Sequence, residues 1–444
     1  MNIPVSVILP SLNVEPYIEQ CIQSAIHQTL QNIEIICIDA GSTDGTLDIL
    51  EKYKKIDSRI ILLHSDVKSY GYQVNKGIDI ARGEYIAVLE TDDYVSEDMY
   101  ELLYHKAKEN DLDVAKCNYV FREDYEDGID YRPWYMKPQE DSLYQGVHHV
   151  VDRPELFQCD INIWRGLYKK SFLKRNHILL NNSKGAAYQD EGFGLQVLLS
   201  NPRIGYIYKP CYYYRFAREG SSTWNRNILA YVYQEWKMLK NRGILSSDNS
   251  LVSHALARLV NAFVGEYNKL LEMVDFDIDS EYIKPYFNWI CGEAQDALRT
   301  YPVIEKEIDR DSVNWIINDN NSYVEEYKEK ICKKRNNDSR IISICNKLPV
   351  IIFGCGNYGR AVKNILWNVG IRKILFCDSN EEKWGSCVDD IIVKSPQKVF
   401  AVHNGTVIIA NKNHYSEIYK QVVELASDEC EIVDANVIFD ILKQ

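Results

Sequence analysis

Glu90, Asp92 and Asp93 fall within one short stretch, directly after the apolar run Tyr85-Ile86-Ala87-Val88-Leu89. Carboxylates this crowded repel one another unless a cation sits among them. Hard divalent ions such as Mg²⁺ or Mn²⁺ take carboxylate oxygens together with substrate phosphates. Such an ion would neutralise a diphosphate as it leaves. The plainer alternative is that these acids cap a helix starting near Ser96. A second constellation, Asp39-Ala40-Gly41-Ser42-Thr43-Asp44-Gly45, combines an acid with two glycines and small hydroxyl residues. The glycines permit close backbone approach to a ligand, and Asp39 can accept hydrogen bonds from a base or ribose. A turn with Asp44 as helix N-cap explains part of this loop. Pro10-Ser11-Leu12-Asn13, with Glu15 close behind, and Gly71-Tyr72-Gln73-Val74-Asn75-Lys76-Gly77 add further polar side chains beside apolar runs.

The elements that must position these residues alternate. Val5–Leu9, Ile33–Ile38, Ile60–Leu63 and Tyr85–Leu89 read as buried strands. Between them, Ile18, Cys21, Ile22, Ala25 and Ile26 mark one helical face, and Thr46–Tyr53 and Asn75–Ala81 read as further helices. This alternation predicts an α/β fold with a parallel sheet covered on both faces. Ligands of such sheets bind outside the carboxyl ends of the strands, so the loops after Leu9, Ile38 and Leu89 should converge. The stretch from Arg122 to about Arg153 reads as an irregular excursion. From about Asn225 to Lys330 the periodicity is helical, and the charged run Lys328–Arg340 reads as a linker rather than a membrane-surface patch. Strand–helix alternation resumes at Leu348.

Composition narrows the function classes. The chain has 444 residues, 46% hydrophobic and 26% charged, with a formal net charge of −13. That is the make-up of a soluble globular protein of about three domains. The acidic balance argues against general affinity for nucleic acid or anionic lipid. No apolar run is long enough to span a bilayer, and Met1-Asn2-Ile3-Pro4 does not read as a signal peptide. The 12 cysteines form no CxxC pair and no zinc spacing. They read as small buried hydrophobes in a reducing cytoplasm.

Taken together, the run from Val5 to Tyr94 resembles the inverting glycosyltransferases of family 2, which have the GT-A fold. The resemblance rests on Val7-Ile8-Leu9-Pro10-Ser11-Leu12-Asn13, Asp39-Ala40-Gly41-Ser42-Thr43-Asp44, Asn75-Lys76-Gly77 with Ala81-Arg82-Gly83-Glu84-Tyr85-Ile86, and Glu90-Thr91-Asp92-Asp93 at the family's DXD position. It implies that Pro10, Ser11, Asn13, Glu15, Asp39, Ser42, Gln73, Asn75 and Asp92 serve the nucleotide-sugar donor, and that Asp92 and Asp93 hold a divalent metal, Mn or Mg. Glu90 stands where many members carry the first Asp, and Val74 where many carry Arg. Gly185-Ala186-Ala187-Tyr188-Gln189-Asp190-Glu191-Gly192-Phe193 is similar to the family's downstream motif, whose acid is the catalytic base. That role falls to Asp190, with Glu191 as runner-up. Trp164–Leu173 is similar to the preceding segment, and Tyr212-Tyr213-Tyr214-Arg215 and Ser221-Ser222 to the closing strand and loop. Arg215 and Arg218 read as surface ion pairs or as phosphate or acceptor contacts. The resemblance covers Met1 to about Trp224.

The C-terminal block carries a different pattern. Val350-Ile351-Ile352-Phe353 leads into Gly354-Cys355-Gly356-Asn357-Tyr358-Gly359 and an apolar helix, and the next strand ends at Asp378. Strand, glycine-rich turn, helix and a distant acid make a Rossmann-like fingerprint. Gly354, Gly356, Gly359 and Asp378 therefore mark a second candidate nucleotide site, with a structural or regulatory role equally open. The expected architecture is a GT-A-type domain over 1–224, a helical region and linker over 225–345, and a Rossmann-like domain over 346–444. The expected activity is metal-dependent inverting transfer from a nucleoside diphosphate sugar, most readily a UDP-sugar, to a surface glycan or lipid-linked glycan. The expected location is cytoplasmic, at most peripheral to the membrane, with homo-oligomerisation open. Three rivals differ. A nucleotidyltransferase would carry a Gly-rich basic loop where Pro10–Asn13 stands. A dinucleotide-dependent oxidoreductase would place its active centre in the C-terminal block. A non-catalytic sugar-nucleotide-binding protein would have no use for Asp190.

Overall fold

The computed structural model describes residues 3–125, 128–216, 225–246, 249–389, 391–411 and 414–443. The chain divides into two compact units, Met1–Asn320 and Asn321–Gln444. The helical stretch expected as part of a separate 225–345 region therefore divides, with its larger part in the first unit. Arg218, Ser221, Ser222 and Trp224 lie outside the described residues.

The first unit is built on a 9-stranded, mixed sheet. Its strands are β1 (Val5–Ser11), β2 (Ile33–Asp39), β3 (Ile60–His64), β4 (Tyr85–Val88), β5 (Tyr94–Val95), β6 (Val114–Tyr125), β7 (Gly128–Trp134), β8 (Gly166–Lys169) and β9 (Ile204–Arg215). The order is β3-β2-β1-β4-β8-β6-β9-β5, with β7 pairing the later part of β6 off this path. The four N-terminal strands are parallel. β1 and β2 are buried along their whole lengths, as continuous Val/Ile/Leu runs require when both sheet faces are covered. Helices α1 (Glu15–Ile26), α2 (Thr46–Ile56), α3 (Tyr70–Ile80) and α4 (Met99–Glu109) follow these strands, and α5 (Leu156–Cys159), α6 (Lys170–Arg175) and α7 (Gln189–Leu199) follow the later ones. Then come α8 (Ile228–Asn241), α9 (Val252–Met273), α10 (Lys284–Thr300) and α11 (Arg310–Asn318).

Four local expectations change. The helix expected over Asn75–Ala81 starts earlier, at Tyr70, so that Gly71–Gly77 forms the first turns of α3, because Ser69 caps that helix by accepting from Tyr72 N at 3.2 Å. The excursion after Arg122 begins as a β6–β7 hairpin. Its charges disguise a strand pair, since Arg132 reaches across it to Glu123 at 2.7 Å. The helix expected near Ser96 starts at Met99, and β5 separates it from the acidic turn, so Glu90–Asp93 do not cap it. The charged run Lys328–Arg340 lies inside α12 (Asn320–Ile344). Tyr323, Val324, Ile331 and Ile341 form a narrow buried stripe on that helix, and the charges form its solvated remainder.

The second unit holds a 6-stranded sheet in the order β12-β13-β11-β10-β14-β15. Its strands are β10 (Val350–Phe353), β11 (Ile374–Cys377), β12 (Cys387–Val388), β13 (Ile391–Lys394), β14 (Thr406–Ile409) and β15 (Glu431–Asp434). All pairings are parallel except β12 with β13. Helices α13 (Asn357–Asn368), α14 (Pro396–Phe400), α15 (Tyr415–Leu425) and α16 (Ala435–Lys443) connect or close the strands. All 12 cysteines are free; most are buried, whereas Cys332 and Cys387 are exposed. Among the described residues no helix is long and apolar enough to cross a membrane.

Candidate active site

The acidic turn is held by the strands on either side of it. Leu89 N–H extends the ladder onto Ile8 O at 2.9 Å, and Asp93 N–H closes the turn on Glu90 O at 3.0 Å. The Thr91 hydroxyl donates to Pro10 O at the end of β1, at 2.8 Å. The three acids then meet different surroundings. Asp93 is 2% exposed. Its two oxygens accept from Tyr212 Oη at 2.8 Å and from Arg215 N at 2.7 Å. Burial, with the charge of Asp92 beside it, pushes the Asp93 carboxyl well above the usual range. Glu90 Oε1 accepts from Tyr70 Oη at 2.5 Å. Asp92 is half-buried, and all three acids line a cleft of about 670 Å³.

The same cleft is lined by Asp190, in the first turn of α7. Tyr188, the residue before that helix, adopts a left-handed conformation with φ +67°. A bulky residue rarely does so. The segment ahead of it is tied down on both sides. Gly185 and Ser69 pair as an isolated bridge, and Tyr70 N donates to Gly185 O at 2.9 Å. The Gln189 amide donates to Ser183 O at 2.7 Å. Burial, then the neighbouring Glu191 charge, lifts Asp190 to about 6. Glu191 itself is held in a two-point ion pair by Arg258 of α9, at 2.7 and 2.9 Å. Of the two adjacent acids, Asp190 is the one that lines the large cleft.

The other donor-loop residues form the frame of the cleft. Asn13, at φ +52°, lines it. Its N–H donates to Ser42 Oγ at 2.9 Å, and its Oδ1 accepts from Thr43 N at 2.8 Å. Glu15 Oε2 accepts from Gly45 N at 2.9 Å, and Asp44 accepts from Glu15 N and Thr46 N, each at 3.1 Å. The loops after β1 and β2 are thus laced together, and Asp44 serves the start of α2 from one residue before its N-cap, Gly45. Asp39 is buried, and its Oδ1 accepts from Gly41 N and Ser42 N, each at 3.0 Å. Gln73 is buried and donates to Ser11 O and Ile38 O at 3.0 and 2.6 Å, pinning the ends of β1 and β2. Asn75 exchanges hydrogen bonds with Leu180 at 2.9 and 3.0 Å, which fixes the segment leading to Asp190. Pro10, Ser11, Glu15, Asp39, Ser42, Gln73 and Asn75 do not line the cleft.

Several lining residues have little sequence signal. Arg215 does meet an acid, Asp124 at 3.1 Å, but it also lines the cleft and lies over the rings of Tyr17 and Tyr94. Trp164 stacks against Tyr214 with ring centroids 5.4 Å apart. The segment bearing Trp164 is anchored by a fully buried cluster around Asp160. Asp160 accepts from Lys116 Nζ at 2.9 Å, from Tyr206 Oη at 2.5 Å and from Arg165. Burial lowers the Lys116 ammonium to about 8. Tyr17 is legible only as a residue on the first turn of α1, and Tyr70 only as the residue before Gly71.

Among the described residues no three His, Cys, Asp or Glu side chains are arranged to enclose a metal by themselves. Magnesium-type sites with nucleotides use one or two carboxylates, with phosphates and waters filling the rest. Asp92 on the cleft wall suits that mode. Asp93 suits it less directly, since both its oxygens already accept hydrogen bonds.

In the second unit a hollow of about 250 Å³ lies at the carboxyl ends of β10, β11 and β14, lined by Gly354, Gly356, Tyr358, Asp378 and Lys383 among others. Gly359 does not line it. A Cβ there would sit 1.9 Å from Gly354 O, so its role is close packing of turn and helix. Asp378 Oδ2 accepts from Cys355 N at 3.1 Å and Lys383 Nζ at 2.9 Å, and its Oδ1 from Asn380 N at 3.0 Å. Burial alone would raise this carboxyl, but the Lys383 ammonium and these N–H groups hold it below the usual range.

Residues 6–164 match the family model of glycosyl transferase family 2, and residues 346–433 match a model described as C2185-like, N-terminal. The glycosyltransferase GlyG of Streptococcus pneumoniae is 32% identical over 239 residues, 51% of this chain and 77% of that protein. The uncharacterized glycosyltransferase EpsJ of Bacillus subtilis is 33% identical over 220 residues, 48% of this chain and 60% of that protein, so the chain spans less than two thirds of this relative. Among solved structures, S. aureus TarS 1–349 in complex with UDP-GlcNAc superposes with a TM-score of 0.51 at 18% identity, covering 75% of this chain and 92% of that one. TarS shares the fold.

Proposed function

The chain belongs to glycosyl transferase family 2, and from that premise we propose that it moves a sugar from a nucleoside diphosphate donor to an acceptor hydroxyl with inversion. One observation carries this reading: an acidic strand-end turn and a half-buried Asp190 line one and the same cleft. The acceptor hydroxyl gives its proton to Asp190, a group that is ionised at pH 7 when its value is about 6. The acceptor oxygen bonds to the anomeric carbon from the face opposite the diphosphate, and the bond from that carbon to the diphosphate oxygen breaks. Arg215 lies on the wall beside Asp92 and Asp93, where it would meet the departing negative charge. Asp92, with Asp93 beside it, would hold Mn²⁺ or Mg²⁺, which when bound supplies charge neutralisation at the phosphates. Asn13 would meet the donor directly. Asp39, Gln73 and Asn75 would act by holding strand ends and loops in place.

The donor is read as a UDP-sugar, in keeping with the ligand of TarS on the same fold. The acceptor is read as a surface or lipid-linked glycan, and the place of work as the cytoplasm. For the second unit the reading is a Rossmann-like module whose hollow takes a nucleotide, with Lys383 rather than Asp378 toward the ligand. Calorimetric titration of the full chain with UDP, GDP, ADP and NAD, with and without Mn²⁺, tests these readings together. Metal-dependent UDP binding that Asp92→Ala removes supports the transferase. Binding of a dinucleotide alone would overturn it.

A further inference from the structure

Helix α8 carries an acid for which the reaction above has no use. Glu235 is 1% exposed, and among the described residues neither of its carboxyl oxygens has a partner in full hydrogen-bond geometry, the nearby donor being the Asn181 amide. Its seat is made by Gly192 in α7. A Cβ on Gly192 would lie 2.2 Å from Glu235 Oε2, so the helix that presents Asp190 is open at the point where this carboxyl docks. Glycine weakens a helix interior, and its use here is spatial.

The two charges that act on Glu235 are both negative. From α7, Asp190 and Glu191 act on it; from the segment ahead of α7 it meets the neutral amide of Asn181. From α9, Arg258 belongs to the same cluster but is taken by Glu191 in the two-point pair. Helix α10 also packs on α8, with Trp289 against Trp236 and Tyr233, and its ionic contact there joins Glu293 to Lys240. Three carboxyls and one guanidinium therefore share this place, and a buried carboxylate without a partner is costly.

We propose that Glu235 is carried as the neutral acid, a positioning residue that docks α8 on the first turns of α7 and leaves Asp190 as the ionised carboxylate of the cleft. The inference rests on the reading of Asp190 as the base. Burial first, with Asp190 and Glu191 adding to it against the Asn181 amide, pushes Glu235 up to about 8. While neutral, it puts no charge behind Asp190. Ionised, it would hold Asp190 protonated to a higher pH and would weaken its own docking.

The test follows thermal unfolding of the full chain from pH 5 to pH 9 in wild type, E235Q, D190N and the double variant. Between the unfolded value of a glutamate and about 8, the folded chain keeps a proton that the unfolded chain releases, so wild type loses stability as pH rises through this window. E235Q has no such loss. It should match wild type at pH 5, exceed it by several degrees at pH 8 and hold that gap above. D190N should narrow the gap, because one of the two charges acting on Glu235 is gone. UDP release from UDP-glucose should fall above pH 8 in wild type and hold its plateau in E235Q, whereas E235A, which leaves a hole, should lower the rate at every pH and, lacking the carboxyl, show no alkaline fall of its own. E235M fills the same space and should reproduce the stability gap if the Gln variant does not fold. Parallel wild-type and E235Q unfolding curves across the range would overturn the inference. D190N that retains transfer, with the E235Q gap present, would instead sink the base reading and leave the neutral Glu235 standing.

Discussion

Two strand ends, one in each unit, carry an acid in the same sequence setting and use it in opposite ways. After β4 the chain turns through Glu90, Asp92 and Asp93, and Asp92 is left on the wall of a large cleft. After β11 it turns at Asp378, whose oxygens are taken up by Cys355 N–H, Lys383 and Asn380 N–H. Asp39 after β2 behaves like Asp378, closing its own loop through Gly41 and Ser42. An acid ending a parallel strand therefore has two outcomes. Where nearby N–H groups curl back onto it, it stabilises a loop. Where it lines an open cleft, a ligand can reach it. Asp93 shows both in one turn: it lines the cleft, yet Tyr212 and Arg215 consume its oxygens.

Substitutions can break or sharpen this contrast. The largest effect is expected for Asp190→Asn, which should lower transfer by about 10²–10⁴-fold, the usual worth of a general base. UDP affinity by calorimetry should stay within about twofold of wild type, in line with an effect on the acceptor proton alone. The pH dependence comes next. With Asp190 raised to about 6, the base form is lost as pH falls, so transfer should drop by roughly tenfold per pH unit below about 6. A flat rate from pH 7 to pH 4.5 would remove Asp190 from that role. At the acidic turn, Asp92→Ala should abolish the Mn²⁺ dependence of UDP binding and, at a half-buried position, cost less stability than the same change at buried Asp93. Asp93→Ala should instead lower stability by about 1–3 kcal/mol, because a buried hydroxyl and a buried N–H lose their acceptor. Equal stabilities for the two variants would erase the distinction drawn between them. The smallest expected effect on the first unit is that of Asp378→Ala. It should destabilise the second unit by about 1–3 kcal/mol and leave UDP binding by the first unchanged, as read by calorimetry.

Much of this site is legible in the chain. Continuous apolar runs mark β1, β2 and β4; the cleft is lined by residues that follow β1 and β4, and the loop after β2 braces the loop after β1. The run of acids after Leu89 stands out on charge density alone. The roles within the frame are less legible. Gln73 and Asn75 read as ligand-facing polar residues, yet each binds main-chain carbonyls of segments distant in sequence. The β6–β7 hairpin was hidden because its cross-strand partners are charged, and Lys328–Arg340 because a long helix with a narrow buried stripe has the composition of a linker.

The sequence by itself determined where strands and helices alternate, which loops end at one edge of the sheet, and which acids are crowded enough to call for a cation. These are consequences of local periodicity and of charge spacing, which act over a few residues. Only the tertiary structure decided which acids are available and which are spent. Glu191 is claimed by Arg258, 67 positions along the chain, and Asp93 by β9, 122 positions along. Asp190 is raised by burial that α7 acquires through packing. Glu235 is sealed against Gly192 by the docking of α8 on α7. Desolvation and pairing depend on which remote groups arrive beside a carboxyl, and no local pattern of residues records that.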